Sequence, residues 1–223
     1  MNGLEKIKYL AFDIDGTLFS SEDIILNVYK ESIQLYKNRT GSNIEIPSQE
    51  KIMAQIGKPV KTIFLNLVPQ LEEKDRDLIS DDVLRILCEK VRNKEGHIYD
   101  GVRDTLEELH KKSYILLTAS NGRIPYIDSI LDVALVNSLF SDKVTLDYNK
   151  LKVKGDILLH YIKKYNIKPN QILMIGDRFS DFEAAEQAQT PFLFCEYGHA
   201  DLGEIPHFTA KASNVSDLLG LLN

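Results

Sequence analysis

Short apolar runs that stop at polar or acidic clusters alternate along this chain with longer stretches of helical periodicity. The first run, Tyr9-Leu10-Ala11-Phe12, stops at Asp13-Ile14-Asp15-Gly16-Thr17. An apolar run this short, bounded by a turn, reads as a buried strand. Tyr114 to Thr118 is a second run, ending in Ser120-Asn121-Gly122. Ile172 to Ile175 is a third, ending in Gly176-Asp177, and Pro191 to Cys195 is a fourth. Between these runs the apolar positions recur every three or four residues. Ile25, Val28, Tyr29, Ile33 and Tyr36 predict a helix from Glu22 to about Tyr36. Ser48 opens another, Gly57-Lys58-Pro59 breaks the chain, and residues 60–68 resume it. Leu78, Ile79, Val83, Leu84, Ile86, Leu87 and Val91 mark a long amphipathic helix over 71–91. Further helices are predicted over 102–112, 124–131, 155–166, 179–188 and 216–222.

Strands that alternate with helices imply an α/β fold, a doubly wound parallel sheet that binds ligands at the carboxyl ends of its strands. Residues 20 to 97 carry helical patterns only. At 223 residues, 43% of them hydrophobic, the chain can fill one large domain or a core with an insertion. The net charge is −6 and no single basic patch stands out, so nucleic acid is not an expected partner. No apolar run approaches the ~20 residues of a membrane helix, so no membrane association is expected. Cys88 and Cys195 lie far apart without a partner motif and read as reduced thiols. The expectation is a soluble cytoplasmic protein, with monomer and dimer both open.

The chemistry concentrates at the strand ends. Carboxylates two residues apart on extended chain, as Asp13 and Asp15 are, point to the same side. Paired acids at the end of a strand suit nucleophilic and acid/base work around a cation. Four features follow in order: Asp13-Ile14-Asp15-Gly16-Thr17, Thr118, a lysine ahead of helix 155–166, and Gly176-Asp177-Arg178-Phe179-Ser180-Asp181. Together they resemble the four motifs of the haloacid dehalogenase superfamily, which is mostly phosphatases. Tyr99-Asp100-Gly101-Val102 with Leu106 and Leu109, and Ile56-Gly57-Lys58-Pro59, are similar to segments of its phosphoglycolate-phosphatase-like branch. That branch places a small helical cap directly after the first motif.

The resemblance implies a Rossmann-like catalytic core of residues 1–20 and 98–223 with a cap of residues 21–97. It also implies a magnesium-dependent phosphomonoester hydrolase for a small phosphorylated metabolite. Asp13 would be the nucleophile that becomes an aspartyl phosphate, and Asp15 the acid that protonates the leaving oxygen and then activates water. Mg2+ would be held by the Asp13 side chain, the Asp15 backbone carbonyl and Asp177, with Asp181 acting through water or orienting its neighbours. Thr118 and the N–H groups of Ala119 and Ser120 would receive phosphate oxygens. Thr17 would bond locally within the phosphate site, and Lys58 in the cap break would reach the organic part of the substrate.

Asp15 argues against a dehalogenase, because a leaving halide needs no proton. A phosphoglucomutase-like phosphotransferase shares every core motif. A non-enzymatic binding protein on this fold would be expected to lack Asp13, Asp15 or Asp177. The third motif departs from the common Lys-Pro-x-Pro, since Lys150-Leu151-Lys152-Val153-Lys154-Gly155-Asp156 has no proline. Lys152 fits the longer register and Lys154 a Lys-Gly form. Lys154 is the expected residue, because no proline shapes the longer loop.

Overall fold

The computed structural model describes residues 4–146, 151–201 and 203–222. Lys150, at the start of the lysine-rich stretch, lies outside the described residues, as do residues 1–3 of the expected core.

Six parallel strands form the main sheet. They are β1 (Tyr9–Phe12), β4 (Ile115–Ser120), β5 (Phe140–Thr145), β6 (Ile172–Gly176), β7 (Phe192–Cys195) and β8 (Ala210–Ala212), arranged in the order β5-β4-β1-β6-β7-β8. β1 sits inside, with Tyr9 between Ile115 and Ile172, and Phe12 between Thr118 and Ile175. A strand covered on both faces needs apolar side chains in both directions. Accordingly Leu10 and Phe12 enter one apolar cluster, with Leu106, Leu109 and Leu116. Ala11 enters the other, with Leu117, Ile157, Tyr161 and Met174. The period of two along β1 is what separates the two layers.

Helices α5 (Val102–Lys111) and α6 (Ile124–Val133) cover the first face, and α7 (Lys154–Lys164) and α8 (Phe179–Ala188) the second. Between β2 (Phe19–Ser20) and β3 (His97–Ile98), an antiparallel pair two residues long, the chain forms four helices. These are α1 (Glu22–Thr40), α2 (Gln49–Met53), α3 (Val60–Leu67) and α4 (Glu73–Arg92). Ile25, Val28, Ile63, Phe64 and Val83 from this segment join the apolar cluster of the first face.

The four apolar runs appear as the inner strands β1, β4, β6 and β7. The edges differ from expectation: β5 and β8 are strands that no apolar run announces. β5 reads Phe-Ser-Asp-Lys-Val-Thr and β8 reads Ala-Lys-Ala, with Ser141 and Lys211 exposed. A strand paired on one side only keeps polar residues toward solvent, and its hydrophobic signal fades. The helix expected over 216–222 divides into a 3-10 turn at Val215–Asp217 and the single-turn α9 (Leu218–Leu221).

One buried phenol ties the layers together beneath the strand ends. The Tyr161 hydroxyl donates to the Thr118 carbonyl at 2.7 Å and accepts the Val144 N–H at 3.0 Å, linking α7 to β4 and β5. Replacing Tyr161 by Phe withdraws a partner from both backbone groups. The expected cost is about 1–3 kcal/mol of folding stability, read from urea-unfolding midpoints. An unchanged midpoint would mean that the two groups find other partners.

Candidate active site

Because β4, β1 and β6 are neighbours, Thr118 near the end of β4, Asp13 just past β1 and Asp177 just past β6 come together at one edge of the sheet. The Asp13 N–H donates to the Ile175 carbonyl at 2.9 Å, which carries the ladder one residue past β1 and fixes where the carboxyl points. The chain then turns sharply. The N–H groups of Thr17, Leu18 and Phe19 converge on the Ile14 carbonyl at 3.2, 2.9 and 3.0 Å. Gly16 sits in this turn at φ +83°, and a Cβ there would lie 2.0 Å from Asp177 Oδ2. Both the left-handed backbone and the approach of Asp177 require glycine.

Three buried carboxylates, Asp13, Asp177 and Asp181, offer oxygen atoms within 4.8 Å of one another. Lys154, the first residue of α7, inserts among them. Its Nζ lies 3.1 Å from Asp13 Oδ1 and 2.5 Å from Asp181 Oδ1. Asp181 also turns back on its own helix start, where its Oδ2 accepts the N–H groups of Asp177 at 3.1 Å and Arg178 at 2.9 Å. Gly176 leaves room for this, since a Cβ there would meet Asp181 Cγ at 2.3 Å. Asp177 Oδ2 accepts the His199 N–H at 2.7 Å.

The electrostatics follow from burial and crowding. Burial pushes the Asp177 carboxyl well above the usual carboxylate range, and the neighbouring Asp181 and Asp13 push it further. Asp181 is also raised by burial, against the pull of Lys154. Burial opposes the charge of Lys154, but Asp13 and Asp181 together outweigh it and raise the ammonium above its ordinary value. Three carboxylates with one ammonium leave excess negative charge in a desolvated, all-oxygen donor set. Such a set fits a hard divalent cation.

Asp15 sits at the mouth of the crevice. The Tyr126 hydroxyl, from α6, lies 3.0 Å from its Oδ2 and 3.2 Å from its Oδ1. Burial raises the Asp15 carboxyl to about 6, although hydrogen bonds from Ser21 and Tyr126 pull it back. A carboxyl in that range can hold and release a proton near neutral pH.

Thr118 is fully buried, and its Oγ1 has no hydrogen-bond partner. Ala119 is buried beside it. Ser120 lines the cleft together with Asp13, Asp15 and Lys154, and its Oγ accepts the Gly122 N–H at 3.2 Å. Thr17 stands behind the acids instead of opening to the cleft. It is fully buried, with its hydroxyl 3.4 Å from Asp177 Oδ1. Lys58 is exposed on the cleft rim, and its Nζ donates to Gln55 Oε1 at 3.1 Å. Lys152 is exposed, and its backbone N–H is bonded to Asp156.

Sequence reasoning missed Tyr126, Ser21 and His199. Tyr126 and His199 reach the acids from other elements, Ser21 from the start of α1, and no local spacing marks them.

Comparison with known proteins agrees with this geometry. A family model of hydrolases, the haloacid dehalogenase-like hydrolases, matches residues 7–189. The chain belongs to this family. A phosphoglycolate phosphatase of Vibrio cholerae is 27% identical over 98% of this chain and 96% of its own length. Another, from Photobacterium profundum, is 26% identical over 89% and 87%. The crystal structure of a predicted phosphoglycolate phosphatase from Haemophilus somnus superposes with a TM-score of 0.83 at 21% identity, covering 99% of this chain and all of that one. Fold class and enzyme class, an α/β phosphatase of this superfamily, thus agree with the expectation from the motifs.

The two lysines make the site testable. Lys154→Ala is expected to slow hydrolysis of a generic aryl phosphate by on the order of 10²–10³, with Lys152→Ala near wild type. Circular dichroism of both variants would check that they fold. The reverse pattern would assign the third-motif role to Lys152.

Proposed function

We propose that the chain is a magnesium-dependent phosphomonoester hydrolase that acts on a small phosphorylated metabolite through an aspartyl phosphate. The observation that carries this reading is the pair of acids with different partners. Asp13 is buried against Lys154 and two further carboxylates, whereas Asp15 stands at the mouth, held by Tyr126 with its carboxyl raised to about 6. A buried carboxylate beside an ammonium suits the nucleophile, and a carboxyl that exchanges its proton near neutral pH suits the acid. The names of the relatives support a phosphatase.

In this reading an Asp13 oxygen attacks phosphorus, and the bond from phosphorus to the leaving oxygen breaks. Asp15 gives its proton to that oxygen. Asp15 then takes a proton from water, whose oxygen attacks phosphorus while the bond to Asp13 breaks, and inorganic phosphate leaves. Lys154 offsets charge on the phosphoryl oxygens, and the Thr118 hydroxyl, which has no partner, donates to one of them. Mg2+ held by Asp13, Asp177 and the Asp15 backbone carbonyl, with Asp181 in support, would screen the approach of two anions. Residues 21–97 would act as a cap that closes over the crevice and excludes water. The cytoplasmic location belongs to this proposal. Among the described residues, no helix is long and apolar enough to cross a membrane.

Thorough chelation is expected to abolish phosphate release, and added Mg2+ to restore it; full activity in excess chelator would exclude the metal role. Asp13→Asn is expected to remove turnover. In Asp15→Asn, rapid acid quench with labelled substrate should trap phosphate on the protein, because formation with a good leaving group outruns hydrolysis. General acid/base assistance of ~10²–10⁴ would be lost. Near-normal turnover of Asp13→Asn would show that the nucleophile lies elsewhere.

A further inference from the structure

The crevice does not end at the catalytic acids. It continues into the helices of residues 22–92 as a cleft of about 100 Å³. Past Asp15 its wall is built from Ile25 and Tyr29 of α1, Ile63 and Phe64 of α3, and Val83 and Leu87 of α4. All six are less than a tenth exposed. The Tyr29 and Phe64 rings stack with centroids 5.6 Å apart and planes 9° from parallel, which holds the two side chains together in this wall.

The cations that line the cleft stand at its floor or its mouth, away from this wall. Lys154 lies between two carboxylates. Lys58 is exposed and bonded to Gln55. The Arg123 guanidinium is 2.7 Å from Asp81.

From this we infer that the organic half of the substrate is apolar and uncharged, an alkyl or aryl group and not a short carboxylic acid. The inference rests on the phosphatase reading and adds the substrate class. A carboxylate carried into this wall would lose its water and gain no cation, and it would approach Asp15. An alkyl chain would lose only apolar hydration. Each methylene that the wall covers contributes a factor of about four in affinity. The six apolar side chains would cover one side of a ring or chain. The glycolate of phosphoglycolate is too small and too charged to use this wall.

The test uses the wild-type protein with Mg2+ and two parallel series. Straight-chain alkylphosphonates from methyl to hexyl cannot be hydrolysed and report binding alone. The matching alkyl phosphates have leaving groups of nearly equal acidity, so any gradient in kcat/KM reports the chain and not the chemistry. Calorimetric affinity should rise several-fold per methylene over the first carbons, on the order of 50-fold in total, and kcat/KM should follow. 3-Phosphonopropionate, which keeps the carboxylate of phosphoglycolate, should bind more weakly than propylphosphonate. Val83→Asn should weaken hexylphosphonate more than methylphosphonate.

A flat series, or tighter binding of 3-phosphonopropionate, overturns the inference even if phosphate is released. Graded phosphonate binding with no phosphate released from any ester supports the apolar wall and overturns the phosphatase reading instead.

Discussion

The site depends on one ammonium held between carboxylates. Asp13, Asp177 and Asp181 come close together inside the protein, where unbalanced charge is expensive. Lys154 lies within hydrogen-bond reach of two of them. Its position comes from the first turn of α7, whose other residues Ile157, Leu158 and Tyr161 are buried against the sheet. The apolar face of one helix therefore sets where the charge sits. The same packing brings the Tyr161 hydroxyl to the Thr118 carbonyl, so the strand end that carries the partnerless Thr118 hydroxyl is held by that helix too.

What could be read from the sequence tracks how local the signal is. β1, β4, β6 and β7 announce themselves because their residues are apolar in both directions. Asp13, Asp15, Asp177 and Asp181 are legible because they follow such strands at fixed offsets, and the structure brings them to one crevice. Lys154 over Lys152 needed an argument from missing prolines, and the structure puts the first among the acids and the second in solvent. Tyr126 and His199 were not legible. Their contacts span 111 residues to Asp15 and 22 residues to Asp177, and the second is made by a backbone N–H that no side-chain pattern encodes. Thr17 is similar: its type suggests a phosphate contact, but its depth turns the hydroxyl toward Asp177.

The helices of residues 22–92 are joined to the catalytic end by specific polar contacts as well as by apolar packing. Asn121, just past β4, donates through Nδ2 to the Gly57 carbonyl at 2.8 Å, and Arg123 meets Asp81 of α4. Asn121 and Arg123 both follow β4, the strand that supplies Thr118. The loop after β4 and the break between α2 and α3 therefore share a hydrogen bond, and a displacement of one is felt by the other.

The charged edges of the sheet have a consequence for the protein in a crowded solution. A parallel sheet with open edges is a template on which another chain could add a strand. On β5, Asp142 pairs with Lys164 and Lys143 with Asp128; on β8, Lys211 pairs with Glu196. A strand arriving from a second molecule would have to strip water and partners from these ions before gaining a single backbone bond. The edge residues that conceal β5 and β8 from an apolar search thus also raise the cost of adding a strand from another molecule.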